Sequence, residues 1–376
     1  MPPHADLTTR NGLRLFMPEA ALIKVPEAFF ARHPIEAQVV LSGIGDATDL
    51  LGGLLDGGHS VIAGRLAGAL RRLGRATEAD EILTVMKRAG YDIRVNDPFA
   101  PALTFSTANR VHPPIVGRLQ SMWKTFREPV IATFPKAPGL SQDTNAYLSF
   151  LDEIYQHDAY HSLSIEGYRV TPELIQQVRA GDWDPHGRDA DRQTRDALAA
   201  RGYWQAFRLV RETVGEVIEG ANPGVLARTR HRDWYREMFE PCVAVGLIEA
   251  SALAGYRNNS VFLRGSRHVP PRREAVRDAM PALFELLENE PEPTVRAVLG
   301  HWLFGYIHPY PDGNGRIARF LMNTMLASGG YPWSIIRVEN RDPYLAALEL
   351  ASVHQEMEPF ARFVADQVVR SMEHAS

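Results

Sequence analysis

Cysteine is almost absent: Cys242 is the only one in 376 residues. A lone thiol excludes an intramolecular disulfide and any cysteine-based zinc cage. Long apolar runs are missing too. The most hydrophobic stretch, Cys242 to Ile248, stops at Glu249, far short of the ~20 residues that cross a bilayer. Neither sign of charge dominates. Lys and Arg number 41 against 45 Asp and Glu, a formal net charge of −4, which excludes a globally basic nucleic-acid binder and leaves only a local patch. No internal repeat or low-complexity tract appears. The opening Met-Pro-Pro-His-Ala-Asp lacks the charged flank and apolar core of a signal peptide. What is present is ordinary for a globular chain, 45% hydrophobic and 23% charged, so disorder throughout is excluded. The expectation is a soluble, cytoplasmic protein of two to three domains with no membrane partner.

Three zones divide the chain. Residues 1–100 form an N-terminal helical or winged-helix-like domain. Residues 101–145, with scattered prolines and weak periodicity, read as a connector wrapped on the surface. Helical patterns dominate 146–376, broken by a polar loop insertion over 179–195. In the first zone Ile62, Leu66, Ala69, Leu70 and Leu73 make one helical stripe and Ala79, Ile82, Leu83 and Met86 a second. Thr77 followed by Asp80 resembles an N-cap restart, and Gly90 sits where a C-cap glycine belongs. Tyr91 to Val95 then alternates like a short strand. Helix, turn, helix, strand fits a winged helix-turn-helix, and Arg65, Arg71, Arg72 and Arg75 supply positive charge. Glu78, Asp80 and Glu81 crowd the end that a recognition helix presents to DNA. A helical hairpin with solvated arginines is therefore favoured over DNA binding.

The segment richest in chemistry is His308-Pro309-Tyr310-Pro311-Asp312-Gly313-Asn314-Gly315-Arg316-Ile317-Ala318-Arg319. Before it, Val295, Val298, Leu299, Trp302, Leu303 and Tyr306 define an amphipathic helix. After it, Ile317, Phe320, Leu321, Thr324 and Met325 repeat the spacing until Gly329-Gly330. The polar run is thus a loop between two buried helices, and its end opens the second, where free N–H groups and the positive dipole end attract anions. Gly313 and Gly315 let backbone approach phosphate oxygens. Asp312 suits Mg²⁺, which uses one or two carboxylates plus substrate phosphates. Arg316 and Arg319 share a helical face and can grip phosphate bidentately. Histidine is a common general base, and His308 stands at the loop's entrance, where a base for an incoming hydroxyl would be useful.

This run resembles the motif of Fic-domain protein adenylyltransferases, histidine-x-phenylalanine-x-(Asp/Glu)-Gly-Asn-Gly-Arg-x-x-Arg, with Tyr310 at the usual phenylalanine. The likeness extends over roughly residues 144–370. Tyr256 to Pro271 resembles the family's β-hairpin flap. Arg341-Asp342-Pro343-Tyr344 and Glu358-Pro359-Phe360-Ala361-Arg362-Phe363 resemble its C-terminal helices. Ser162-Leu163-Ser164-Ile165-Glu166-Gly167 is similar to the inhibitory pattern Ser/Thr-x-x-x-Glu-Gly/Asn, on a helix near 155–168 ahead of the core. The resemblance implies a mainly α protein: a Fic-type helical core with a small β-hairpin flap, beside the N-terminal domain. It implies ATP as substrate, Mg²⁺, and transfer of AMP to a Ser, Thr or Tyr hydroxyl of a protein target. It also implies roles. His308 would deprotonate the hydroxyl, Asp312 would hold the metal, and Gly313, Asn314 and Gly315 would form the anion hole. Arg316 would bind phosphate, and Arg319 the γ-phosphate once Ser162 and Glu166 release it. Val261, Phe262 and Leu263 would dock the target by strand addition. Tyr344 would line the adenine pocket, where Ser352 replaces a frequent asparagine. Gly315 argues against the phosphotransferase subgroup, which has lysine there. Removal of AMP from modified protein uses the same residues and stays open, as do a DNA-binding regulator carrying this domain and a homo-oligomer.

Shorter patterns carry less. His231-Arg232-Asp233 lacks the partner motifs of a kinase, and Gly43-Ile44-Gly45 lacks the third glycine of a dinucleotide fingerprint. Ser121 and Lys124 stand alone, and His157 with His161 lacks a third metal ligand.

Overall fold

The computed structural model describes residues 6–10, 12–99, 114–140, 143–181 and 191–375. Most of the polar insertion and the prolines Pro101 and Pro113 of the connector lie outside the described residues. Two compact units emerge, Met1–Val111 with Ile248–Asn258, and His112–Leu247 with Asn259–Ser376. Both are built mainly of helices.

The first unit opens with a hairpin, β1 (Leu7–Arg10) antiparallel to β2 (Leu13–Phe16), pairing Leu7 with Phe16 and Arg10 with Leu13. Six helices follow: α1 (Pro18–Lys24), α2 (Glu27–Arg32), α3 (Pro34–Gly43), α4 (Ala47–Asp56), α5 (Ser60–Arg72) and α6 (Ala76–Arg88). Their core contains Leu50, Leu54, Leu66, Leu70, Ile82 and Met86. A 3-10 turn at Ala250–Ala254 packs on α4.

The helical option for this unit holds, but its details differ from the sequence reading. Tyr91 to Val95 has no strand partner. The segment runs along α5 instead, where Asn96 N–H donates to Gly64 O at 3.2 Å, so no ladder forms. Thr77 is not a cap: α6 starts at Ala76 after Arg75, without a side-chain cap. Arg75 is spent on Leu41 O, Ile44 O and Glu78. Arg65 is buried, donating to Val25 O at 3.0 Å and lying over the Phe30 ring. Arg71 pairs with Asp80. Three of the four arginines that suggested a DNA patch thus serve the unit's own fold.

The second unit contains α7 (Pro114–Thr133), α8 (Thr144–Ile165), α9 (Pro172–Ala180), α10 (Asp191–Ile218), α11 (Pro223–Ala244), α12 (Arg273–Asn289), α13 (Pro293–Ile307), α14 (Asn314–Ala327), α15 (Arg341–Glu349) and α16 (Glu358–Ala375). The hairpin α13–α14 sits at its centre, and a second hairpin, α10–α11, packs beside it. The sequence stripes on α13 and α14 are buried as expected, but so is nearly everything else on them, including Arg296, His301 and Asn323. A helix buried all round is a core helix and not an amphipathic surface helix.

Two expectations need correction. Much of the supposed connector is α7, a 20-residue helix packed on α12, α13 and α16. Its mooring is non-local: the buried Glu290 accepts from Trp123 Nε1 at 3.0 Å and from Arg127 Nη2 at 3.0 Å. The β-hairpin flap is also not a ladder. Residues 256–271 contain no strand, only a turn in which Ser266 N–H donates to Leu263 O at 3.2 Å. Several backbone and side-chain groups here bond to helices. Arg267 N–H donates to Glu349 Oε1 at 2.8 Å, Ser266 Oγ also donates to Glu349, and the His268 ring bonds Tyr306 O at 2.8 Å.

Candidate active site

The loop between α13 and α14 is shaped by its own side chains. His308 caps α13 in the left-handed conformation at φ 50°, its N–H donating to Phe304 O at 2.9 Å. That conformation is uncommon for a residue with a Cβ. Tyr310 is fully buried and stacks on Tyr235, with centroids 3.9 Å apart and planes 6° off parallel. Asn314 closes the loop. Its Oδ1 accepts from Tyr310 N–H at 2.9 Å and its Nδ2 donates to Tyr310 O at 2.8 Å. The Asn314 side chain therefore works as a brace, a role not apparent from the motif alone.

Two glycines meet tight quarters. Gly313 precedes α14 at φ 78°, and a Cβ there would stand 2.7 Å from the Phe239 ring. A Cβ on Gly315 would stand 2.3 Å from Glu166 Oε1. The first-turn N–H groups of α14 have no intrahelical partner, as in any helix start, and the positive dipole end adds to their pull on anions. Asp312 accepts from Gly313 N–H at 2.6 Å, and its side chain is 60% exposed.

A cleft of about 530 Å³ opens here, and Glu166, His308, Asn314, Gly315, Arg319 and Tyr344 all face it. Phe262 and Leu263 form part of its rim. Ser162, Val261, Asp312, Gly313 and Arg316 are not among its walls. Ser162 lies just behind: its Oγ accepts from Arg319 Nε at 2.9 Å and its carbonyl from Arg319 Nη2 at 3.0 Å. Glu166 Oε1 completes the grip on Arg319 Nη2 at 2.8 Å. Burial pushes the Glu166 carboxyl up, but Arg319, aided by Arg316 and Arg341, outweighs it and holds the group below the usual carboxylate range. Arg319 responds in kind: burial works against its charge, and Glu166 more than offsets that, so its pKa rises. Arg319 Nη1 is buried with no hydrogen-bond partner among the described residues, a donor able to take one more anionic oxygen.

The far wall carries residues that sequence reasoning missed. His301 is buried, its Nδ1 lies 3.1 Å from Ala318 O, and its Nε2 lies 2.7 Å from the Tyr344 hydroxyl. A carbonyl can only accept, so Nδ1 carries the proton and Nε2 accepts from Tyr344. Burial first and Arg319 second lower the His301 pKa to about 3, so the ring is neutral. Burial likewise pushes the Tyr344 hydroxyl up to about 12. Beside them Trp302 Nε1 donates to Ser352 Oγ at 3.0 Å. A histidine and an indole within a largely apolar helix were the available signal. His157 and His161 lie on α8 with ring centroids 6.5 Å apart. No set of three ligating side chains that could hold a metal ion occurs among the described residues.

Residues 226–326 match the model of the Fic/DOC family, and the chain accordingly carries a Fic domain. Over 227 residues it is 31% identical to the protein adenylyltransferase Fic of Nematostella vectensis, covering 59% of this chain and 49% of that protein. The protein of the same name from Drosophila virilis is 28% identical over 225 residues, covering 59% of this chain and 42% of the other. The chain thus spans about half the length of the curated relatives it matches. A solved structure of Fic-1 from C. elegans overlays with a TM-score of 0.49 at 18% identity, covering 91% of this chain and 94% of that one. No helix among the described residues is long and apolar enough to cross a membrane.

Proposed function

We propose that the chain transfers AMP from ATP to a serine, threonine or tyrosine hydroxyl of a protein, and that Glu166 holds this activity in check. The observation that carries the reading is the 2.8 Å pair of Glu166 with Arg319 inside a cleft that His308 and the first turn of α14 also line. His308 takes the proton of the target hydroxyl as its oxygen attacks the α-phosphorus. The bond from that phosphorus to the α,β-bridging oxygen breaks, pyrophosphate leaves, and the proton passes from the imidazole to solvent. The N–H groups opening α14 meet the charge that develops on the α-phosphate. Asp312 fits a hard cation held mainly by phosphate oxygens, because its side chain is 60% exposed and such an ion needs one or two carboxylates. Mg²⁺ bound there would supply neutralisation of phosphate charge.

Inhibition follows from occupancy. Arg319 would orient the γ-phosphate, and while Glu166 sits on it a carboxylate fills that place. ATP then lies with its α-phosphate out of line with the hydroxyl. The flap supports a protein substrate: Phe262 is 80% exposed beside the cleft, an apolar handle for an extended segment.

The test compares wild type, Glu166→Gly and Glu166→Gly/His308→Ala with ATP labelled at the α- or γ-phosphate. Self-modification and labelling of lysate proteins are both followed. Label from the α-phosphate alone, strongest in Glu166→Gly and lost with His308→Ala, is the expected result. Label from the γ-phosphate would mean phosphotransfer. Absence of both would shift the reading to AMP removal, which Glu166→Gly should then abolish.

A further inference from the structure

Arg316 is held in an unusual way. Its side chain is 1% exposed and flanked by two aromatic rings, Tyr168 with its centroid 5.2 Å away and Phe239 at 5.1 Å. Nε and Nη2 are buried without a hydrogen-bond partner among the described residues. Asp312 Oδ2 stands 3.4 Å from Nη2, long for a hydrogen bond. Two rings this close restrict how far the guanidinium can move, while Nε and Nη2 keep unfilled donor capacity. Nη2 faces Asp312, on whose side the nucleotide's phosphates and their metal are expected. A buried cation with unfilled donors is costly unless an anion completes it.

The two rings have different origins. Phe239 belongs to α11 and touches the motif loop itself, since a Cβ on Gly313 would meet it at 2.7 Å. Tyr168 belongs to the turn that carries Glu166, and its N–H donates to Leu163 O at 3.1 Å. Arg195 lies over the same tyrosine ring at 5.5 Å.

We propose that Tyr168 is a positioning residue for the phosphate-binding edge of Arg316, so that the Glu166 turn builds one half of the phosphate site while it blocks the other. The proposal deepens the adenylyl-transfer reading and rests on it. It has a mechanical consequence. If the whole turn swung away, Arg316 would lose one of its two ring contacts. Release of inhibition therefore proceeds by rotation of the Glu166 side chain with the turn left in place.

The experiment uses the full chain in the Glu166→Gly background and titrates ATP with Mg²⁺, and adenosine, by calorimetry, with AMP transfer followed in parallel. Tyr168→Ala is expected to weaken ATP binding about tenfold, equivalent to about 1.4 kcal/mol, and to leave adenosine binding unchanged. KM for ATP should rise with kcat little altered, and Tyr168→Phe should restore both. In the wild-type background Tyr168→Ala should not raise labelling. Three results would overturn the proposal: ATP affinity unchanged by Tyr168→Ala, equal weakening of ATP and adenosine, or activation by Tyr168→Ala alone. If Glu166→Gly transfers no AMP at all, the reading of function fails, while the ATP-against-adenosine comparison still decides the role of Tyr168.

Discussion

His301 sets a pH dependence that can be worked out from its surroundings. The ring is buried, donates to Ala318 O and accepts from Tyr344, so protonating Nε2 would break the Tyr344 bond inside an apolar wall. Its pKa falls from 6.5 to about 3 on folding. The folded value lies below the unfolded one, so the stabilising contribution is whole above pH 6.5 and is lost as pH falls toward 3. Each unit corresponds to about 1.4 kcal/mol, so between pH 7 and pH 5 the domain should lose about 2 kcal/mol through this group alone. All six tryptophans lie at 123 or beyond, outside residues 248–258, so tryptophan fluorescence follows the second unit alone. Urea unfolding at pH 7 and pH 5 would compare wild type with His301→Gln, which keeps a polar group but cannot charge. The wild type should lose about 2 kcal/mol more than the variant between the two pH values. Equal losses would refute the assignment of a neutral, Nδ1-protonated ring.

Gly315→Ala and Glu166→Ala should act through one contact. A Cβ 2.3 Å from Glu166 Oε1 must displace the carboxylate, a charge-assisted hydrogen bond of about 1.5–3 kcal/mol. Each variant should lower thermal stability, with the double variant little worse than either, whereas additive losses would show that the two residues do not meet. Asn314→Ala leaves Tyr310 N–H and O without their 2.9 and 2.8 Å partners in a buried loop. A stability loss of about 2–4 kcal/mol is expected at two unmade buried bonds, and a loss below 1 kcal/mol would deny the brace. Glu349→Ala removes the acceptor shared by Ser266 Oγ and Arg267 N–H. Limited proteolysis should then cut faster within 260–267, and an unchanged rate would mean that the flap is held elsewhere.

Much was legible in the sequence because its causes are local. The run from His308 to Arg319 and the apolar spacing on either side announced a loop between two buried helices, since helical periodicity and glycine placement are written residue by residue. The six-residue pattern ending at Glu166-Gly167 stood out for the same reason. The fold alone decided what meets what. Arg319 and Glu166 are 153 residues apart in the chain, and no spacing rule joins them. Nor does any local pattern say that α13 is covered on every face, since a stripe marks only the first face to be buried. Scattered prolines and weak periodicity before Thr144 hid α7, whose anchor, Glu290, lies 167 residues beyond Trp123. Residues 256–271 resembled the family's hairpin, but two of their donors went to Glu349 and the His268 ring to Tyr306, because a backbone bonds to whatever acceptor the tertiary structure brings within reach. The sequence by itself determined which residues could do chemistry. Long-range packing decided which of them face the cleft, which brace it from behind, and that Arg316 lies against the rings of Tyr168 and Phe239.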